Sequence, residues 1–466
     1  MGLGAFLFKK SYMEKKTKKN QDATGIPMIN ANAAGIDVSA SFHVVAVPVG
    51  RDEVSVKEFG AFTEDLYAIA AWLKYCMITT VAMESTGVYW RQLYLVLIEE
   101  GFEVFLVHAR FAKNVTGRKT DEGDAMWIQR LHSCGLLKSS FLPDELTETL
   151  RTYSRHRKKT MEDGSKYLLR MEKAMELMNI KVQGIISDIM GKTGKAIIEA
   201  IIGGERKAEN FLQYVDYRIK ADHTTIVKSL TGNWRVEHLF TLQQNYELYK
   251  FVHQQIDICE KEIEKCLQKI AAANNEGVIE AIAPPLRKSG KVSKKKKTKN
   301  QPLFNVKGYL QKIHGVDVTA IYGISEGTAL EILAETGTDL SKWENEDHFV
   351  SWLNLCPNNK ITGGKLISST LLKRKAGNAT QAFRSAANSV QRSDNWLGDY
   401  FRRMKSKGGN KYAIIAKARK LAIIYYIMLN KKHEFSPIDI NEYRHKYKED
   451  KIERLEKQLA KLKAAA

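Results

Sequence analysis

Between residues 33 and 137 short apolar runs alternate with segments of helical period. AAGIDVSA and SFHVVAVPV are joined by a polar turn, and VSVKEFGAF follows, which predicts a three-stranded meander. EDLYAIAAWLKYC then has helical spacing and ITTVAMEST reads as a strand. VYWRQLYLVLIEEG reads as a helix stopped by Gly101, and FEVFLVHA as a further strand. A meander that passes into helix–strand alternation restricts this part of the chain to a mixed sheet with helices packed on it. An α/β domain is expected over residues 33–142.

The period then changes. Residues 143–272 are helical in pattern. Val252, Ile256, Cys259, Ile263, Cys266 and Ile270 form a regular a/d seam with charges between, as in EKEIEKCLQK. The spacing predicts a coiled coil suited to pairing protomers or presenting a basic surface; the plainer reading is an amphipathic helix on a globular core. Residues 273–303, with Pro284-Pro285 and a KKKK run, read as a flexible basic linker. A mostly helical domain follows over 304–432. The tail, 433–466, is a charged helix with an apolar stripe at Ile452, Leu455, Leu459 and Leu462. Residues 1–32 read as a mobile basic extension, because their basic stretch follows a short apolar one, the wrong order for a signal peptide.

A chain of 466 residues can build two or three cores. Its 73 Lys and Arg against 53 Asp and Glu leave a net charge of +20, which calls for a polyanionic partner, most often nucleic acid. Five cysteines without a CxxC pair suit reduced thiols in the cytoplasm and suggest no zinc site. No apolar run reaches membrane-spanning length.

Chemistry is suggested by four acids. Asp37 stands inside the first strand, where an unpaired charge is costly, and Glu84 ends the strand VAMESTG. Asp121 and Asp124 open the helix in TGRKTDEGDAMWIQR and would share one face. An N-cap with acids favouring the helix dipole would explain that last pair alone. With strands one and four adjacent, however, all four can converge, and four carboxylates do not all stay ionised without a counter-charge. Mg²⁺ (or Mn²⁺) prefers such oxygens, and two ions can clamp a phosphodiester. Arg118 and Lys119 would then contact neighbouring phosphates.

GIDVS, MESTGVYWRQLYLVLIEEGFEVFLVHA and KTDEGDA together resemble the N-terminal RuvC-like, RNase H-type domain of the DEDD insertion-sequence transposases, the IS one-ten family, and within it the IS eleven-eleven branch. The resemblance maps the D-E-D-D tetrad onto Asp37, Glu84, Asp121 and Asp124. It continues in WLNLCPNNKITGGKLISSTLLKRKAGNA, which is similar to the family's transposase domain. There the family uses a serine as a nucleophile on DNA; Thr362 occupies that position here, a departure from the pattern. Threonine keeps a hydroxyl but its methyl stiffens χ1 and crowds an in-line approach. Alternatively Ser368 or Ser369 replaces the lost hydroxyl, or the copy no longer cuts. Gly363 and Gly364 would let the backbone approach the scissile phosphate. Lys365, Lys373, Arg374, Lys375 and Arg384 would neutralise DNA charge. IYGISEGTALEILAETG resembles a helix-hairpin-helix element; an ordinary αα-hairpin capped by Gly323 is the plainer alternative.

The resemblance implies a metal-dependent transposase or recombinase. Its partners would be donor and target DNA and a structured bridge RNA that supplies sequence choice by base pairing. It would act as a homodimer or tetramer, in the cytoplasm and on the nucleoid. Two rivals remain: a metal-only RuvC-type nuclease, and an inactive transposase-derived nucleic-acid-binding protein.

Overall fold

The computed structural model describes residues 27–107, 121–274, 300–372 and 376–465. They fall into two compact units, residues 1–142 and 143–466. In the first, β1 (Ala33–Val38), β2 (Phe42–Ala46) and β3 (Val56–Gly60) form the expected antiparallel meander. Then come α1 (Thr63–Tyr75), β4 (Thr80–Glu84), α2 (Trp90–Glu99), β5 (Glu103–Val107) and α3 (Asp121–Ser133). The strand order is β3-β2-β1-β4-β5, with β4 parallel to both β1 and β5. This mixed sheet with helices on it is consistent with an RNase H-like α/β domain.

The period-two alternation divides the sheet into two buried faces. Ile36, Val38, Val81 and Met83 join Ile69 and Leu73 of α1 and Leu93 and Leu97 of α2 in one core. On the opposite face α3 packs through Ala125 against Val44 and Ala46, and through Ile128 against Ala82 and Val107. Gly35 permits that packing: a Cβ there would lie 2.2 Å from the Gln129 backbone nitrogen and 2.5 Å from the Ala125 carbonyl oxygen. Close approach of helix backbone to strand backbone therefore needs glycine at this position.

The second unit opens with α4 (Glu145–Leu177), followed by α5 (Lys192–Ile202), α6 (His223–Leu230) and α7 (Val236–Asn274). Met171 and Met175 pack in one cluster with Leu242 and Tyr246, whereas Arg157 meets Glu260, so α4 and α7 run antiparallel. Ile256, Cys259, Ile263, Cys266 and Ile270 are all buried within the chain. The seam expected to pair protomers is thus filled intramolecularly; period alone cannot tell a partner helix of the same chain from one of another. Arg157 donates to Glu260 Oε1 from Nε (3.0 Å) and Nη2 (2.8 Å), and Glu260 Oε2 accepts from the Leu303 amide at 3.0 Å. This buried pair fastens the chain re-entering at residue 300 to both long helices. The linker expected over 273–303 lies largely outside the described residues.

Beyond it come α8 (Val306–His314), α9 (Glu326–Thr336), α10 (Glu346–Trp352), the hairpin β6 (Asn358–Thr362) and β7 (Lys365–Thr370), α11 (Asn378–Ser389), α12 (Trp396–Lys431) and α13 (Ile440–Ala465). The left-handed glycine that caps α8 is Gly315, not Gly323; Gly323 lies in the following loop, where a Cβ would fall 2.3 Å from Val390 Cγ2. Arg155 makes a bidentate pair with Glu335 at 2.8 Å on both oxygens, binding α4 to α9. Burial pushes the Glu335 carboxyl up, but the hydrogen bonds from Arg155 and Asn378 outweigh it and hold it below its ordinary value. Among the described residues no helix is long and apolar enough to cross a membrane.

Candidate functional site

The register places two of the four acids side by side. Ile36 pairs with Met83 on the parallel strands β1 and β4, and the next residue on each is Asp37 and Glu84. Because alternate residues face opposite ways, Asp37 shares its face with Gly35, and Glu84 shares its face with Ala82. That is the face α3 covers. Both acids stand at the carboxyl ends of their strands, where α/β sheets usually bind ligands.

The helix brings the other pair to the same end. Gln129 Nε2 donates to the Ala33 carbonyl (3.2 Å), and the Ser133 carbonyl accepts from the amides of Ile29 and Asn30. The last turns of α3 therefore lie over the start of β1, and its first turn, with Asp121 and Asp124, lies towards Asp37. Asp37, Glu84 and Asp124 are all half-buried. Thr86 Oγ1 donates to Glu84 Oε1 at 2.9 Å, an orienting contact within the MESTG segment that the residue pattern alone does not reveal. The Asp121 side chain, Arg118 and Lys119 lie outside the described residues. Among the described residues no group of three or more acid, His or Cys side chains is close enough to hold a metal. The acids on that sheet end are nonetheless hard oxygen donors of the type a divalent cation takes.

Beneath the site, His132 of α3 is buried, with its Nε2 2.9 Å from Thr80 Oγ1 and its ring 4.7 Å from Phe105. Burial pushes its pKa down to about 4, so it packs as a neutral ring.

Thr362 ends β6 at the tip of the two-stranded hairpin, paired with Lys365. Gly363 (φ 56°) and Gly364 (φ 75°) both take the left-handed conformation that a two-residue hairpin turn demands. A Cβ on either would meet nothing within 4 Å, so the tip is open. Thr362 and Lys365 are exposed, as are Ile361, Leu366 and Ile367. Ser369 Oγ donates to Asn359 Oδ1 across the hairpin (2.7 Å), and Ser368 is paired with Lys360. Arg384 lies on α11, half-buried, and its Nε has no hydrogen-bond partner among the described residues. Lys373, Arg374 and Lys375 lie outside the described residues. The tetrad and the hydroxyl-bearing hairpin belong to different compact units, each built independently of the other.

Two family models match the chain. One, for the DEDD transposases of the IS110 type and described as transposase, matches residues 34–180, which include all four acids. The other, described as the transposase IS116/IS110/IS902 family, matches residues 317–402, which include Thr362 and Arg384. No curated protein matches the chain. Transposase domains of the DEDD type are generally dependent on divalent metal. With both halves of the family's architecture matched in order along one polypeptide, this chain belongs to the IS110 family of DNA transposases.

Proposed function

We propose that this transposase cleaves and rejoins DNA strands through a covalent intermediate on Thr362, in partnership with the carboxylate site. The reading is supported chiefly by the adjacency of Asp37 and Glu84 on the sheet end over which α3 carries Asp121 and Asp124. Those four carboxylates would hold Mg²⁺ or Mn²⁺, which when bound supplies Lewis-acid stabilisation of charge on phosphate oxygens. Thr362 Oγ1 attacks phosphorus, its proton passes to a carboxylate or water, and the bond to the leaving strand oxygen breaks. Attack by a strand hydroxyl on the phosphothreonine then restores Thr362 and forms the new joint. Lys365, Arg384, Lys373, Arg374 and Lys375 neutralise phosphates around the hairpin, and Arg118 and Lys119 do so beside the tetrad.

The open, exposed hairpin tip suits insertion of the hydroxyl into a site formed with another protomer, in a homodimer or tetramer. Sequence choice by a structured guide RNA accords with the net charge of +20, which suits polyanionic partners. The helix-hairpin-helix reading has support too. On that reading a backbone phosphate would sit at the start of α9, in a cleft of about 540 Å³ lined by Lys307, Ser325, Gly327 and Thr328 together with Glu326 and Glu331.

Threonine in place of serine favours one second reading, a metal-only nuclease that needs no hydroxyl. Thr362→Ala separates the two. The recombinase loses both the trapped protein–DNA adduct and strand joining, whereas a nuclease continues to cut. Thr362→Ser should raise adduct yield. An adduct mapped to Ser368 or Ser369 would move the nucleophile, and loss of nucleic-acid chemistry in the unmodified protein would leave only a binding role.

A further inference from the structure

From residue 400 to 433 the sequence holds ten Lys and Arg and no Asp or Glu. The structure shows how this acid-free stretch is displayed. Helical geometry breaks inside α12 at Gly408 and Gly409, and Gly409 has φ 79°. Lys417 Nζ sits 5.3 Å from the Phe401 ring centroid. Sixteen residues of continuous helix would span about 24 Å, so the two arms fold back on one another as a helical hairpin. Its tip, residues 405–412, is exposed throughout and carries Lys405, Lys407, Lys411 and Tyr412.

Both arms are anchored. On the outgoing arm Trp396 packs edge-on to Tyr443 (5.5 Å), and the Arg403 guanidinium lies 4.6 Å and 3.8 Å from the rings of Tyr443 and Tyr447. On the returning arm Ala413, Ala418, Leu421 and Ala422 are buried. The tip is therefore a fixed projection. It also differs from a merely solvated helix face. Several exposed lysines elsewhere in the unit are neutralised one turn away, as in Lys166–Asp163, Lys250–Glu247 and Lys265–Glu262. Among the described residues Lys405, Lys407 and Lys411 have no ion-pair partner. Tyr412 adds an exposed ring of the type that stacks on a base.

We infer that this helical-hairpin tip is a docking surface for the phosphodiester backbone of nucleic acid. It lies beyond the residues that the second family model matches, and it includes none of the residues of the tetrad or of the Thr362 hairpin. The inference does not rest on the proposed chemistry, since a chain that cuts nothing would still bind here.

The test uses the full chain with EDTA present, so that binding is read without cleavage. Lys405→Gln/Lys407→Gln/Lys411→Gln is compared with Lys159→Gln/Lys173→Gln/Lys195→Gln, which removes the same charge from exposed positions on α4 and α5. Affinity for a random-sequence DNA duplex and for an RNA stem-loop of matched length is measured across a salt series. The tip variant should bind roughly tenfold more weakly, with the log–log salt slope reduced by about 2 to 3. The arginine version of the same triple variant should retain binding, and melting temperatures should match the unmodified protein. A loss seen with only one polymer identifies the source of the backbone. A tip variant that behaves like the control on both polymers overturns the inference.

Discussion

Asp37 and Glu84 are neighbours across a parallel strand pair, one residue past the registered pair Ile36–Met83, on the sheet face that α3 covers. Two like charges so placed repel one another across the strand pair. Relief of that repulsion gives the proposed metal site a readout that does not depend on catalysis.

Asp37→Asn should abolish strand cleavage while leaving nucleic-acid affinity within about twofold, because a neutral amide keeps the shape but loses ligand charge. In chelator the same variant should melt at or above the unmodified protein. The stabilisation that Mg²⁺ gives the unmodified protein should be lost. Equal loss of cleavage and binding would instead point to a purely structural aspartate. A metal titration followed by thermal melting checks both parts.

Gly35→Ala should destabilise the first unit by about 1–3 kcal/mol or more, since its methyl would collide with backbone of α3 that has no side-chain freedom to yield. Displacing α3 also moves Asp124 away from Asp37, so cleavage should fall even at temperatures where the protein remains folded. Chemical denaturation alongside a cleavage assay distinguishes this from a surface glycine such as Gly184, where a Cβ meets nothing within 4 Å and the backbone is not left-handed.

Burial sets an acid limit. His132 is lowered to about 4 from an ordinary 6.5, chiefly by desolvation. His314, fully enclosed with neither ring nitrogen hydrogen-bonded among the described residues, is lowered to about 3 by the same cause, with the Lys432 charge adding to it. Below 6.5 the unfolded chain takes up protons that the folded one refuses, so stability present above pH 6.5 is lost as pH falls towards 4. His132→Gln should flatten this fall, by up to about 3 kcal/mol. Melting curves from pH 7 to pH 4 measure it.

Lys417 is fully buried beside Phe401, its Nζ has no hydrogen-bond partner among the described residues, and burial pushes its pKa down to about 8. At pH 7 folding must bury the ammonium, a penalty that fades as pH rises from 8 towards 10.5, where the unfolded lysine also loses its proton. Lys417→Met should therefore raise stability at pH 7 by about 1–3 kcal/mol. The gain should shrink near pH 10. A gain that is constant with pH would mean that packing, not charge, is responsible.

Much of the first unit was legible in the chain. The meander and the helix–strand alternation follow from period and turn residues, because a sheet with two buried faces imposes a regular pattern on its strands, whereas the adjacency of strands one and four, supposed from the sequence, is fixed by the parallel pairing of β1 with β4. Asp37 and Glu84 were legible for the same reason: charges at strand positions stand out against apolar neighbours. What local pattern could not decide was which surfaces meet. The seam from Val252 to Ile270 has the spacing of an intermolecular coiled coil, yet α4 of the same chain fills it. The heptad records only that an apolar stripe is covered, not by what; here Cys259 meets Tyr153 and Val252 meets Gly164 of α4. Gly35, Thr86 and the fold-back at Gly408-Gly409 likewise acquire their roles only from residues distant in sequence or from the reversal of chain direction. Periodicity and composition determine which elements form and what charge they carry. Tertiary packing decides which apolar faces are used up inside the chain and which cations are left facing solvent.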